Sequence, residues 1–253
     1  MKNQAPAAPP ESIEILHVPI HKVTMNQTVD LARQFMMEPG CRQIATVNPE
    51  FVMTAGQDPQ FMTVLQEADI CIPDGIGLVY ASRWMGTPLP ERVAGSELVY
   101  RLAEQAAQYG WRLFLLGAAP GVAEEAAARF QAHYPKLLIA GTYAGSPDMA
   151  ENEHIVSLIN DSAADLLFVA YGAPNQDKWI ARNREALSTV RLAIGVGGSL
   201  DFVTGRSQRA PEWVQQIGLE WLYRLFKEPW RWRRMLALPR FAIRVLTSPR
   251  GTT

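Results

Sequence analysis

The 253-residue sequence has few residues that bind metals or form disulfides, and it has no long apolar run. Because no run reaches about 18 uncharged apolar residues, no segment is predicted to span a bilayer. The only two cysteines, Cys41 and Cys71, have a spacing that matches no metal or redox motif. We expect both to be reduced structural thiols, as in a cytoplasmic protein. The four histidines are scattered, which argues against metal ligation and a His-based triad.

Several catalytic motifs are also missing. No G-x-x-x-x-G-K-[ST] loop and no G-x-G-x-x-G turn opens a helix, which disfavours ATPases and dinucleotide-binding enzymes. No G-x-S-x-G nucleophile elbow occurs. No Asp-x-Asp pair is present, which disfavours an enzyme that holds a nucleotide diphosphate through a divalent metal. We therefore expect no metal and no cofactor, and if a diphosphate leaves, arginines must balance its charge.

Charge is divided unevenly along the chain. Residues 204–253 contain ten Lys/Arg and three Asp/Glu, a net charge of +7, so the preceding 203 residues carry −8. The basic segment also contains four of the seven tryptophans: Trp213, Trp221, Trp230 and Trp232. Bases interleaved with Trp indicate contact with an anionic, partly apolar membrane interface. The alternative is a solvated basic face with core tryptophans; nucleic-acid binding is disfavoured because no recognition module is present.

Strand-length apolar runs alternate with amphipathic segments over most of the chain. The predicted strands are residues 13–18, 43–47, 69–72, 111–116, 137–142, 166–170 and 192–196. The predicted helices include residues 97–109, 122–134, 153–162 and 175–187. This pattern predicts an α/β fold, a Rossmann-like, mostly parallel sheet with helices on both faces.

Composition divides the chain into three parts. The Ala- and Pro-rich residues 1–12 are predicted to be a disordered lead-in. Residues 13–203 are predicted to be the α/β core, and residues 204–253 a helical basic appendage that associates with membrane. Pro229 and Pro239 predict helical segments near 212–227, 229–238 and 240–247 within this appendage.

Polar residues follow three of the predicted strands, where a parallel sheet binds its ligands. Asp74 is the strongest catalytic candidate, because a carboxylate between a Pro and a Gly at a strand exit projects into the crevice. The alternative is that Asp74 forms a turn or caps the next helix. Thr46 and Asn48 are candidates to bind an acetamido or hydroxyl group, and they are equally plausible as turn formers. Gln176 and Asp201 are open to the same two interpretations.

A fourth strand exit, at residues 117–121, leads directly into a helix. Gly117 and the free helix N-terminus there could receive a phosphate. Turns between strands and helices are often rich in glycine for steric reasons alone, so both explanations stay open.

Taken together in this order, the motifs resemble those of the WecG/TagA/CpsF family of bacterial glycosyltransferases, over residues 13–246. The resemblance rests on TVNPE at 46–50, AD at 68–69 with PDGIG at 73–77, RVAG at 92–95, GAPNQDKW at 172–179, GVGGSLDF at 195–202, RAP at 209–211, and GLEWLYRL at 218–225 ahead of EP at 228–229. This chain has Asn175 and Asp177 where relatives often have Lys and Glu.

The resemblance implies transfer of an N-acetylmannosamine-type sugar from a UDP-sugar donor to a polyprenyl-diphosphate-linked N-acetylglucosamine. It implies inversion without a metal, by a cytoplasmic enzyme peripherally attached to the inner face of the cell membrane. Asp74 matches the family's proposed base. Arg224, Arg231 and Arg234 match arginines of a C-terminal appendage that closes over the site.

Other positions match the family's pocket residues: Thr46, Asn48, Arg92, Gln176 and Asp201. Tyr143, in the segment at 141–146, and Gly117 are further candidate contacts to the donor. Two other functions stay open, a sugar-nucleotide epimerase or hydrolase and a non-catalytic membrane adaptor. Self-association into a homo-oligomer is also compatible with the sequence, since the appendage could pack on a neighbouring subunit.

Overall fold

A sheet of six parallel strands lies at the centre of the computed structural model. The structure describes residues 10–208, 210–211, 214, 220–227 and 235–248. Of residues 220, 221 and 224 it describes the backbone only. The strands of the described chain are β1 (Ser12–Ile15), β2 (Val18–His21), β3 (Arg42–Val47), β4 (Ile70–Pro73), β5 (Arg112–Gly117), β6 (Leu138–Tyr143), β7 (Leu166–Ala170) and β8 (Leu192–Gly195). The parallel sheet has the order β4-β3-β8-β7-β5-β6.

Helices connect these strands. The described helices are α1 (Met25–Phe35), α2 (Pro49–Ala55), α3 (Pro59–Glu67), α4 (Ile76–Trp84), α5 (Gly95–Tyr109), α6 (Val122–His133), α7 (Met149–Asp161), α8 (Asn175–Asn183), α9 (Ser199–Val203), α10 (Glu220–Lys227) and α11 (Ala237–Thr247). In the part of the chain that the structure describes, no helix is long and apolar enough to cross a membrane.

Side-chain alternation along the strands produces a core on each face of the sheet. In β5, Leu113 and Leu115 pack with buried residues of α5 and α6, whereas Phe114 and Leu116 pack with α7 and α8 on the opposite face. A third cluster, on the same side as α7 and α8, joins α2, α3, α4 and α11 to β3 and β4. The predicted α/β class, with a parallel sheet covered on both faces, is confirmed.

The prediction of one strand at residues 13–18 is wrong, because the chain reverses there. β1 and β2 form an antiparallel hairpin outside the parallel sheet. Leu16 and His17 form its two-residue connection with φ values of 50° and 70°. Such positive φ values usually require Gly or Asn, so the sequence contains no turn signal at this point.

The break predicted at Pro239 is also wrong. Helix α11 begins at Ala237, which places Pro239 in the first turn, where no backbone N–H is needed for an intrahelical hydrogen bond. Phe241 and Val245 on this helix are buried against α2 and α4. Pro229 and the tryptophans at 213, 230 and 232 lie outside the described residues.

Both cysteines are buried free thiols, as predicted. Burial raises the pKa of the Cys41 thiol to about 12 and raises the pKa of Cys71 as well. Because the thiolate is the reactive form, both side chains are chemically inert at neutral pH.

Candidate active site

A cavity of about 290 Å³ opens where β3, β4, β7 and β8 end, at the carboxyl edge of the sheet. Five residues singled out from the sequence line it, although up to 130 positions separate them: Thr46, Asn48, Asp74, Arg92 and Gln176. Thr46 lies near the end of β3 and Asn48 directly after it, and Asp74 follows β4. Arg92 lies in the loop before α5, and Gln176 lies in the first turn of α8. The parallel topology therefore brings together side chains that are remote in sequence.

Asp74 stands directly after β4, with its backbone N–H donating to the carbonyl of Val47 at 2.7 Å. The N-cap residue of α4 is Gly75. Asp74 is therefore not the N-cap residue of this helix, which was one structural alternative for this residue. A side chain at Gly75 would lie 2.8 Å from the ring of Pro49, so only glycine allows this close approach of α4 to the β3 exit.

Arg92 pairs with Asp74 inside the cavity. Its Nη2 lies 3.9 Å from Asp74 Oδ1, and each side chain is roughly a fifth exposed, 21% and 23%. The loop that presents Arg92 is held on both sides, since the N–H of Val93 donates to the carbonyl of Pro73 at 2.9 Å and Glu91 Oε1 accepts from the N–H of Met25 at 2.6 Å. This loop cannot move without breaking backbone hydrogen bonds.

The N-terminus of α5 also faces the Asp74 carboxylate. Helix α5 begins at Gly95, and a Cβ placed there would lie 3.0 Å from Asp74 Oδ2 and 3.1 Å from Thr46 Cγ2. The N-cap residue is Ala94, whose side chain has no hydrogen-bonding group. The positive end of the helix dipole and the Arg92 guanidinium therefore both place positive potential on the carboxylate.

Gln176 forms the floor of the cavity with the glycine segment after β8. Its side chain is 2% exposed, and Oε1 accepts from the N–H of Gly197 at 2.9 Å. A Cβ at Gly195 would lie 2.4 Å from Gln176 Nε2, so the amide fits only because residue 195 is glycine. The Thr46 hydroxyl donates to the carbonyl of Gly195 at 3.2 Å. Side chains of Gln176 and Thr46 therefore both hold the glycine segment by hydrogen bonds to its backbone.

A family comparison agrees with this arrangement. The model of the glycosyl transferase WecG/TagA/CpsF family matches residues 13–253, which includes every element of the cavity. The chain belongs to this family. The predicted family is thus confirmed, and the protein is a glycosyltransferase.

Curated relatives support the same assignment over most of the chain. An N-acetylglucosaminyldiphosphoundecaprenol N-acetyl-beta-D-mannosaminyltransferase of Bacillus spizizenii is 39% identical over 209 residues, 83% of this chain and 80% of the relative. The protein of that name from Bacillus subtilis is 37% identical over 203 residues, 80% and 78% of the two chains. The one from Staphylococcus aureus strain MRSA252 is 31% identical over 240 residues, 94% and 93%.

Asn48 has a structural role in this WecG/TagA/CpsF protein besides its position in the cavity wall. It is the N-cap of α2, and its Oδ1 accepts from the N–H of Phe51 at 3.1 Å. Asp201, in α9, does not line the cavity, but its Oδ2 lies 3.5 Å from the point that a Cβ on the lining residue Gly198 would occupy. Its carboxylate therefore lies next to a residue of the cavity wall, and contact of Asp201 with a substrate stays a prediction.

The structure does not bring Gly117 and Tyr143 into the cavity. They end β5 and β6 at the same edge of the sheet, beyond β7. A side chain at Gly117 would lie 2.9 Å from the backbone of Ala170, which gives the glycine a steric function. The Tyr143 hydroxyl donates to Glu151 Oε2 at 3.3 Å. Contact of either residue with the donor stays a prediction.

The described part of the appendage reaches the cavity through two apolar side chains. Met235 and Leu238 line it. Arg224 is in α10, but its side chain lies outside the described residues, as do Arg231 and Arg234 entirely. Their catalytic roles therefore stay predictions.

The cavity also contains residues that sequence reasoning missed: Glu50, Ser96, Ser199 and Phe202. Glu50, Ser199 and Phe202 lie within the motifs that carry the family resemblance, so their place in those motifs was the available signal. Ser96 follows Gly95 in the first turn of α5 and has no distinguishing pattern. In the described chain, no group of three His, Cys, Asp or Glu side chains comes close enough together to hold a metal ion.

Asp177, next to Gln176, is fully buried. Neither carboxylate oxygen has a hydrogen-bond partner among the described residues. Burial raises the pKa of this carboxyl to about 7. Asp177 does not line the cavity.

Proposed function

We propose that this glycosyltransferase moves N-acetylmannosamine from UDP-N-acetylmannosamine to the N-acetylglucosamine of a polyprenyl-diphosphate-linked acceptor. The names of the three relatives support this substrate pair. The observation that carries the mechanism is the Asp74–Arg92 pair, a carboxylate and a guanidinium 3.9 Å apart in one cavity at the carboxyl edge of the sheet.

In the proposed reaction, Asp74 is the general base. It takes the proton of the acceptor hydroxyl while the hydroxyl oxygen attacks the anomeric carbon of the donor sugar. The bond between that carbon and the diphosphate oxygen breaks, and UDP leaves with the electron pair. A single displacement of this kind inverts the anomeric centre and gives a β-linkage, with a base on one face of the sugar and the leaving group on the other.

The leaving diphosphate needs positive charge, which we propose that arginines supply without a metal. Arg92 is the described member of this set, and Arg224, Arg231 and Arg234 are its predicted partners from the appendage. A guanidinium binds phosphate oxygens through two parallel hydrogen bonds and keeps its charge at any relevant pH. In such catalysis, stabilisation of the developing charge commonly lowers the activation free energy more than any other effect.

We further propose that the enzyme acts from the cytoplasm, peripherally attached to the inner face of the cell membrane. A polyprenyl chain resides in the bilayer, so an enzyme that acts on its head group must work at the membrane surface. The excess of +7 in residues 204–253 supports this location, since each base near an anionic leaflet contributes about 1 kcal/mol.

A donor screen with a short-chain, soluble lipid-diphosphate N-acetylglucosamine acceptor, with and without chelator, tests the proposal. We expect product from UDP-N-acetylmannosamine at a rate that chelator leaves unchanged. Release of UDP at the same rate without acceptor would indicate a hydrolase or epimerase instead. Absence of UDP-sugar binding in calorimetry would indicate a non-catalytic adaptor.

A further inference from the structure

Large apolar side chains that are exposed to solvent concentrate on two neighbouring helices. Among the described residues, α4 exposes Tyr80 (55%) and Trp84 (47%), and α11 exposes Ile243 (62%) and Leu246 (56%). We call these four residues the α4–α11 face. Scattered exposed apolar residues are ordinary on a protein surface, whereas a group on adjoining helices indicates a binding surface.

The two helices of the α4–α11 face pack against each other. The Phe241 ring of α11 lies 4.0 Å from the point that a Cβ on Gly77 of α4 would occupy. On the other flank of α11, Arg244 Nη1 lies 3.2 Å from the equivalent point on Gly56, at the end of α2. Helical periodicity then places Leu246 on the flank away from Arg244, which is the flank toward α4.

The α4–α11 face also leads out of the cavity. On α4, Ile76 lines the cavity, and Tyr80 and Trp84 follow it at intervals of four residues along one stripe of the helix. On α11, Leu238 lines the cavity, and Leu246 lies two intervals of four residues further along the same stripe. Two apolar stripes therefore run from the cavity to the exposed surface.

The charged side chains of the two helices that form the α4–α11 face are all positive. The sequences of α4 and α11 contain Arg83, Arg240 and Arg244 and no Asp or Glu. All three arginines are exposed. Trp and Tyr prefer the boundary between lipid and water, and bases beside them are attracted to anionic head groups. The chemistry of this surface matches an anionic bilayer.

We infer that the α4–α11 face lies against an anionic lipid bilayer and guides the lipid-linked acceptor into the cavity. The inference rests on the proposed function for the identity of the acceptor, and it extends membrane contact from the basic appendage to α4, a helix of the core. With the face on the bilayer, the diphosphate–sugar head enters the cavity between Ile76 and Leu238 while the polyprenyl chain remains in the lipid.

Vesicle sedimentation of the full chain tests this inference. We expect Tyr80→Ser/Trp84→Ser to bind vesicles of phosphatidylglycerol and phosphatidylcholine about tenfold more weakly than the parent, since two aromatic side chains no longer enter the interface. The matched control, Met37→Ser/Met149→Ser, removes two exposed apolar side chains elsewhere on the surface, 81% and 67% exposed, and should bind normally. Equal binding by all three proteins would overturn the inference.

A second test uses a fluorescent label and does not depend on a loss of vesicle binding. Because Cys41 and Cys71 are buried, a cysteine at Trp84→Cys can be labelled selectively with an environment-sensitive fluorophore. We expect its emission to shift to the blue on anionic vesicles, while a label at Met149→Cys does not respond. An unshifted label at position 84 on sedimented protein would overturn the inference. The inference would also be overturned if Tyr80→Ser/Trp84→Ser bound vesicles as the parent does but had a different molar mass in solution. The α4–α11 face would then be a surface for self-association.

Activity separates this inference from the proposed function. Tyr80→Ser/Trp84→Ser should keep the parent's turnover on the short-chain soluble acceptor and lose most of its turnover on a full-length acceptor embedded in vesicles. If the parent itself transfers no sugar to the soluble acceptor, the proposed function fails, whatever the vesicles show. If the variant keeps full turnover on the embedded acceptor, the membrane inference fails and the proposed function stands.

Discussion

The guanidinium of Arg92 lies 3.9 Å from the carboxylate of Asp74, although the two residues belong to separate loops after β4. The Arg92 loop is fixed by a backbone hydrogen bond from Val93 to Pro73, the residue before Asp74. The two side chains are thereby held at the same strand end. In the proposed reaction, Asp74 deprotonates the acceptor hydroxyl and Arg92 contributes positive charge to the site.

Asp74→Asn should reduce kcat for sugar transfer about 10²- to 10⁴-fold, because the amide cannot accept the proton of the acceptor hydroxyl. Binding of UDP-sugar should change little, since the volume of the side chain is preserved. Steady-state kinetics with the soluble acceptor and calorimetry with UDP-sugar measure the two effects. Asp30→Asn, an exposed carboxylate on α1, is the control and should be fully active. Near-normal turnover of Asp74→Asn would refute the assignment of the base.

Gly195→Ala should displace the Gln176 side chain and lower kcat/KM by about tenfold or more. The new methyl group would lie 2.4 Å from Gln176 Nε2, and the amide is the part that can move, so the fold should persist. Circular dichroism and kinetics of Gly195→Ala, Gln176→Ala and the double variant measure this coupling. We expect the double variant to be no worse than Gln176→Ala alone. Additive losses would show that Gly195 acts independently of Gln176.

The parallel sheet was predictable from the sequence because its strands are continuous apolar runs separated by amphipathic segments. The residues of the cavity were predictable for a related reason, since Asp74 and Gln176 follow strands that must end at one edge of the sheet. What brings them together, the order of strands in the sheet, depends on long-range packing that no local pattern encodes.

Other features had no local signal at all. The turn at Leu16 and His17 adopts positive φ without Gly or Asn, so the sequence pattern indicated a continuous strand. Pro239 suggested a helix boundary, but a proline is equally compatible with the first turn of a helix, and burial of Phe241 decides where α11 lies. Met235 and Leu238 reach the cavity through this packing, which hydrophobicity alone does not indicate.

Phe241→Ala should lower the free energy of unfolding by about 3–5 kcal/mol, because its buried ring joins α11 to α2 and α4. Phe226→Ala is a matched control from the same basic segment. Its ring is 77% exposed, so the change should stay within about 0.5 kcal/mol. Urea denaturation measures both. Equal stability of the two variants would show that α11 does not contribute to the core.

Asp177 should make the protein less stable as pH rises. Its carboxyl has a pKa of about 7 in the folded state against 3.8 ordinarily, so the folded state binds the proton more tightly than the unfolded state. The stabilising effect of this proton is complete below about pH 4, is lost progressively between about pH 4 and pH 7, and does not change further at higher pH. The difference amounts to at most roughly 4 kcal/mol.

Asp177→Asn removes this titration, so its free energy of unfolding should decline less between pH 5 and pH 8 than that of the parent. The amide keeps the size of the side chain and carries no charge at any of these pH values. Urea denaturation at several pH values gives both slopes, and Asp161→Asn, an exposed carboxylate on α7, should follow the parent. If Asp177→Asn and the parent have the same slope, the buried carboxyl is ionised in the folded state, and a cation or solvent must reach it.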